Sequence, residues 1–227
     1  ASIYGDTAIM GAYTDNNVAG SAYVFVRTGS IWSQQQKLTA SDAANFDFFG
    51  TSVAITGDTA IVGAPLDDTA AGSNAGSAYV FTRSGGVWSQ QQKLTASDAS
   101  ASDQFGWSVT ISGDTAIVGA NNDDTAAGTN AGSAYVFTRA GGVWSQQQQL
   151  TASDATAIDF FGFSVSISGD TAIVGAYLAN ITAGTDAGSA YIFTRTNGVW
   201  SQQEKLTAAD AAPFDNFGER VSISSDT

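Results

Sequence analysis

The string GDTAI begins at Gly5, Gly57, Gly113 and Gly169, and a degraded copy, SDT, starts at Ser225. The spacing is 52 residues once and 56 thereafter. A fixed period of this length marks a repeat architecture, in which each unit is one supersecondary structure that buries its apolar face only by stacking on a neighbour. The repeat also constrains function. Units that are nearly identical describe a scaffold better than they describe a site.

The composition fits one continuous array. Of 227 residues, 43% are hydrophobic, enough for a packed core. The 21 acidic residues outnumber the 8 basic ones, giving a net charge of −13. That balance argues against nucleic acid and anionic membranes, which require a basic footprint. It suits a secreted or cell-surface protein, or one that meets cations. There is no cysteine and no histidine, which removes disulfides, thiol chemistry, the commonest general base and the commonest transition-metal ligand. No apolar run reaches the length of a membrane-spanning helix.

Each unit reads as four short strands. In the second, Val53 and Ile55 share one face of an alternating run, Gly57-Asp58 is a two-residue turn, and Thr59 to Ala64 is a small apolar strand. After a polar loop, Ser77 to Arg83 is rich in β-formers. A Gly-Gly turn leads to Val87 to Leu94, whose glutamines and lysine read as a solvated outer edge. No stretch carries a helical period. Four antiparallel strands in this span form the unit of a β-propeller blade, so the predicted fold is an all-β propeller. The blade units are 1–48, 49–104, 105–160 and 161–216, with an extra first strand over 217–227. One tryptophan opens each fourth strand: Trp32, Trp88, Trp144 and Trp200. It serves either as a wedge between blades or as a ligand platform.

The pattern FGxSVxI-x-GDTAIVGA followed by GSAYVFTR resembles the FG-GAP repeat, the blade unit of integrin α-subunit propellers and of many large extracellular bacterial and algal proteins. The FG pairs are Phe49-Gly50, Phe105-Gly106, Phe161-Gly162 and Phe217-Gly218. The GA pairs are Gly11-Ala12, Gly63-Ala64, Gly119-Ala120 and Gly175-Ala176. The resemblance implies an adhesion-type interaction module whose partners bind the face carrying the loops after strands two and four. Calcium-binding members of the family carry a carboxylate-rich loop between the first two strands. Here that link is only Gly57-Asp58 and its equivalents, too few oxygens for Ca²⁺. Asp6, Asp58, Asp114 and Asp170 are therefore turn formers, and any Ca²⁺ would have to bind elsewhere.

The two long loop sets are acidic. One contributes Asp67, Asp68, Asp123 and Asp124. The other contributes the spaced pairs Asp42/Asp47, Asp98/Asp103, Asp154/Asp159 and Asp210/Asp215. The pairs are either Asx-turns shaping the crossover between blades or weak cation ligands. This face is the expected binding surface for a protein or a glycan. In the fourth unit the loop carries Asn180-Ile181-Thr182, a glycosylation sequon. No serine or threonine has a candidate base, and every carboxylate pair recurs in every unit, so no catalysis is expected. The first reading is thus a non-catalytic interaction module. The alternatives are a carbohydrate-binding propeller and an appendage of a secreted enzyme. The chain opens late in a first strand and ends on another, which is expected of a segment of a longer chain. The spare strand could otherwise complete a four-bladed ring or pair with a second copy.

Overall fold

The structure, a computed structural model, describes residues 1–224. It has sixteen strands in four groups: β1 (Ser2–Tyr4), β2 (Thr7–Ala12), β3 (Ser21–Thr28), β4 (Ile31–Leu38); β5 (Ser52–Thr56), β6 (Thr59–Ala64), β7 (Ser77–Ser84), β8 (Val87–Leu94); β9 (Ser108–Ser112), β10 (Thr115–Ala120), β11 (Ser133–Ala140), β12 (Val143–Leu150); and β13 (Ser164–Ser168), β14 (Thr171–Ala176), β15 (Ser189–Thr196), β16 (Val199–Leu206). Each group is a four-stranded antiparallel sheet with its strands in sequence order. Among the described residues there is no helix. The Gly-Asp link is a two-residue hairpin turn, with Thr56 opposite Thr59.

The sheets are propeller-type blades stacked in chain order, with β5 against β1, β9 against β5 and β13 against β9. The apolar cores lie between blades. Ile9, Val24 and Leu38 of the first blade pack with Phe49, Val62, Phe81 and Trp88 of the second. The same arrangement recurs between the second and third blades and between the third and fourth. A sheet held between two others is covered on both faces. This is why TAIVGA in β6 and β10 is buried along its whole length instead of alternating.

The two halves of the repeat motif meet at these interfaces. A Cβ built on Gly63 would lie 1.9 Å from the carbonyl oxygen of Gly106 in the next blade. Gly106 itself sits at φ +97°, and its N–H donates to the carbonyl of Gly119 at 3.0 Å. Its backbone is wedged between the GA glycine of the preceding blade and that of its own. No side chain fits at either position. The preceding Phe105 is fully buried, tilted against Tyr135 and edge-on to Phe137.

The glutamine run lies on the edge strand of its sheet, with Gln91 exposed, and it also binds the neighbouring blades. A bulge between Val80 and Phe81 leaves Gln91 as the extra residue opposite them. The bulge lets Gln91 and Gln92 both point toward the next blade, whereas Gln90 points to the previous one. Gln92 forms a paired clamp: its Nε2 donates to the Trp144 carbonyl at 2.8 Å, and its Oε1 accepts from the Trp144 N–H at 2.9 Å. Gln91 Nε2 donates to the Gly142 carbonyl at 2.8 Å. Gln90 Oε1 accepts from the Ser41 N–H at 2.9 Å. Gln36 and Gln148 repeat the paired clamp on Trp88 and Trp200. In the fourth blade Glu204 takes the position of Gln92, and a carboxylate cannot donate to a carbonyl.

The turn aspartates have a second task. Asp58, Asp114 and Asp170 pair with Arg83, Arg139 and Arg195 of their own blades at 2.6 Å. Arg139 also donates to Thr59 Oγ1 of the preceding blade at 2.8 Å and lies over the Trp144 ring at 5.2 Å.

The expected extra first strand, 217–227, lies partly outside the described residues. Residues 217–224 make one bridge, Phe217 to Gly188, and no ladder. The N–H groups of Val221 and Ile223 instead donate to Ser164 Oγ and Ser166 Oγ, both at 3.1 Å. Among the described residues no second strand lies beside this segment to supply the backbone ladder. The SDT copy at Ser225 lies outside the described residues.

Candidate functional site

The loops after the second strand of a blade and those after the fourth strand interlock on one side of the array. Phe49 N–H donates to the Ala19 carbonyl and Phe105 N–H to that of Ala75, each at 3.0 Å. This side gathers the aspartates singled out in the sequence, and they divide into three kinds.

The second aspartate of each pair shapes the crossover. Asp47, Asp159 and Asp215 accept from the N–H three residues earlier, at 2.6 Å from Ala44, 2.7 Å from Thr156 and 2.7 Å from Ala212. Asp103 accepts from Ser100 at 2.5 Å in the same way. Asp47, Asp103 and Asp159 are buried and turned inward. Asp68 and Asp124 are also loop formers, accepting from the N–H of Asn74 at 2.9 Å and Asn130 at 2.8 Å. Asn180 does the same for Asp186 at 2.9 Å. It is exposed, and this bond uses only its Oδ1.

Of the remaining aspartates, Asp15, Asp42, Asp67 and Asp154 bind lysine. Lys93 Nζ lies 2.7 Å from Asp42 of the first blade and 2.7 Å from Asp67 of its own blade. It also lies over the Tyr79 ring at 5.3 Å. Asp67 is buried and further accepts from the hydroxyls of Ser77 and Tyr79. In the first blade Lys37 meets Asp15 at 2.8 Å, and in the fourth Lys205 meets Asp154 at 2.6 Å. Burial works against ionisation of Asp42 and Asp154, but the lysine hydrogen bonds win and hold both below the usual carboxylate range.

The third blade breaks this pattern. The position of Lys93 is held by Gln149, whose Nε2 donates to Asp123 at 3.2 Å, to Ser133 Oγ at 3.0 Å and to Tyr135 OH at 3.0 Å. Asp98, the counterpart of Asp42, has no cation beside it among the described residues. Burial pushes Asp123 above the ordinary range. Nearby Asp103 is pushed up to about 6, by burial first and then by the charges of Asp123, Asp124 and Asp98. A cavity of about 490 Å³ opens here, lined by Asp98, Asp124, Thr125, Gln149 and Thr151.

Among the described residues no three carboxylates converge closely enough to hold a metal ion. Among these residues none of the four Asp pairs gains a third carboxylate toward the six to eight oxygens that Ca²⁺ takes. Asp210 and Asp215 are exposed.

Trp88, Trp144 and Trp200 are each 2% exposed, closed in by the neighbouring blade and by their arginines, and they present no ring face to a ligand. Trp32, in the first blade, is 40% exposed.

The sequence reading missed one feature of this face. Phe46, Ile158 and Phe214 occupy equivalent crossover positions, are 63%, 54% and 69% exposed, and have φ of 74°, 69° and 68°. Left-handed backbone at a large apolar side chain stores strain. No composition or periodicity signal marks it.

A family model for the FG-GAP repeat matches residues 32–81, 88–137, 144–193 and 200–227, well over half of the chain. The matched units run from the fourth strand of one blade through the third strand of the next, so each of the first three spans one interblade core. No curated protein matches the chain. No helix among the described residues is long and apolar enough to cross a membrane.

Proposed function

Because the chain belongs to the FG-GAP repeat family, whose repeats are typical of extracellular proteins, we propose that it is a non-catalytic interaction module, secreted or displayed at a cell surface, that binds a protein partner through its acidic loop face. The observation that carries this reading is the concentration on one face of exposed carboxylates (Asp68, Asp98, Asp124) together with the strained, exposed side chains of Phe46, Ile158 and Phe214. Exposed apolar anchors within a charged rim are the make-up of a protein-binding surface. Strained backbone is retained where a surface must present a side chain. A lectin would need open aromatic platforms, and three of the four tryptophans are closed. An attached glycan on Asn180 is compatible with its exposed loop position.

The test is surface plasmon resonance of the immobilised chain against a panel of extracellular proteins, with a glycan array in parallel. The comparison is the triple variant Asp68→Asn, Asp98→Asn, Asp124→Asn. Asn180 shows that asparagine forms the same loop bond as Asp68 and Asp124, so the variant should keep its melting temperature. Protein binding that falls at least tenfold in the variant supports the reading. Glycan binding that the variant retains would replace it with the carbohydrate-binding one.

A further inference from the structure

We infer that the junction of the second and third blades binds a primary ammonium group, contributed by a lysine of the partner, between Asp98 and Asp123. The inference rests on the acidic-face reading and names the chemistry that the face recognises. Its first support is that the equivalent residues already ligate an ammonium elsewhere in this chain. Asp42 and Asp67 hold Lys93 at 2.7 Å each, Asp15 holds Lys37 at 2.8 Å, and Asp154 holds Lys205 at 2.6 Å. Asp98 and Asp123 are the same positions at the junction of the second and third blades, with the same tyrosine, Tyr135, beside Asp123.

A single replacement sets this junction apart. Gln149 stands where the other blades carry lysine, and it is neutral. Its amide reaches Asp123 at 3.2 Å, and no hydrogen bond from it to Asp98 forms. Among the described residues, this is the one junction with two such carboxylates and no cation; in the fourth blade Ala179 replaces the second carboxylate. Asp123 is only 5% exposed, and a buried carboxylate without a countercharge is costly.

In the same loop, two residues before Asp123, Asn121 is 4% exposed and its Oδ1 has no hydrogen-bond partner. Its counterparts Tyr13, Pro65 and Tyr177 carry no side-chain amide. The adjoining cavity of about 490 Å³ is within the range of small-ligand clefts. In the other three blades the ammonium lies 5.3 to 5.6 Å from the tyrosine ring, and Tyr135 offers the same cation–π contact. Among the described residues no third carboxylate joins Asp98 and Asp123, whereas a calcium ion takes six to eight oxygens.

The experiment is an NMR titration of the ¹⁵N-labelled chain with n-butylammonium chloride and, separately, the peptide acetyl-Ala-Lys-Ala-amide, at constant ionic strength. Tetramethylammonium chloride is the control. Both amines should give saturable shifts confined to the amides of Asp98, Asp123, Thr125 and Gln149. Gln149→Lys, which installs the lysine of the sister blades, should weaken both at least tenfold. Lys93→Gln should create a second site at Asp42 and Asp67. Uniform non-saturating shifts, equal shifts with tetramethylammonium, or unchanged binding in Gln149→Lys would overturn the inference. Saturation by butylammonium but not by the peptide would overturn its assignment to a partner lysine. Failure here with tenfold loss of partner binding in the triple variant removes the ammonium site and leaves the acidic-face reading. Retained partner binding in that variant removes the face reading itself.

Discussion

A methyl group at Gly63 would sit 1.9 Å from the Gly106 carbonyl oxygen, against backbone that cannot swing aside. Gly63→Ala should therefore cost about 3 kcal/mol, at the upper end of overpacking penalties, as read by urea unfolding. Gly85, whose added Cβ would meet nothing within 4 Å, lies in an exposed turn, and its replacement by Asn should cost well under half as much. A second test concerns Asp103. Its carboxyl titrates near 6 in the folded chain and near 4 in an unfolded one. The folded state thus holds the proton more tightly. This residue's contribution to stability is present below about pH 4 and is lost as the pH rises toward about 6. Asp103→Asn keeps an acceptor for Ser100 N–H, so it should flatten the fall in melting temperature across that window. An unchanged slope would contradict the assignment. The sequence showed that aspartates recur in pairs, but not that the two members differ. Position three residues after a free N–H makes Asp103 a loop former, and only the neighbouring blade decides what Asp98 faces.

Strands and turns were the most legible part of the chain. Gly-Asp between two β-rich runs specifies a tight hairpin locally, and the model of four strands per unit needs no long-range knowledge. The fourth strand was legible as an edge, but three consecutive glutamines do not reveal that they also bind the neighbouring blades. A bulge between Val80 and Phe81 sends two of them to the same neighbour, and bulges leave little trace in composition. The paired clamp is testable. Gln92→Glu removes the donor to the Trp144 carbonyl and places a charge in the seam, so it should destabilise by roughly 1–3 kcal/mol. Glu204→Gln, at the equivalent position of the fourth blade, should not destabilise. Equal effects at the two positions would mean that the clamp contributes little to blade packing.

The molecule as a whole is a series of interfaces, since its apolar clusters each join two blades. Its stability should therefore approximate a sum of nearest-neighbour terms. The repeat announced that architecture. It could not announce which departures from it matter, because Glu204, Ala179 and Gln149 all read as single exchanges in near-identical units. Contact with the neighbouring blade gives each its meaning, and Gln149 is the exchange that leaves Asp98 and Asp123 without the lysine that Asp42 and Asp67 share. The most direct test is the thermal unfolding of Gln149→Lys at neutral pH and low salt. If Asp98 and Asp123 form the same ammonium-holding junction as Asp42 and Asp67, the new lysine should raise the melting temperature by about 3 °C, the shift expected of ~1 kcal/mol in a chain of this size. The gain should shrink in high salt. A melting temperature that is unchanged or lower would mean that the two carboxylates do not converge on a cation, and the ammonium site would fail.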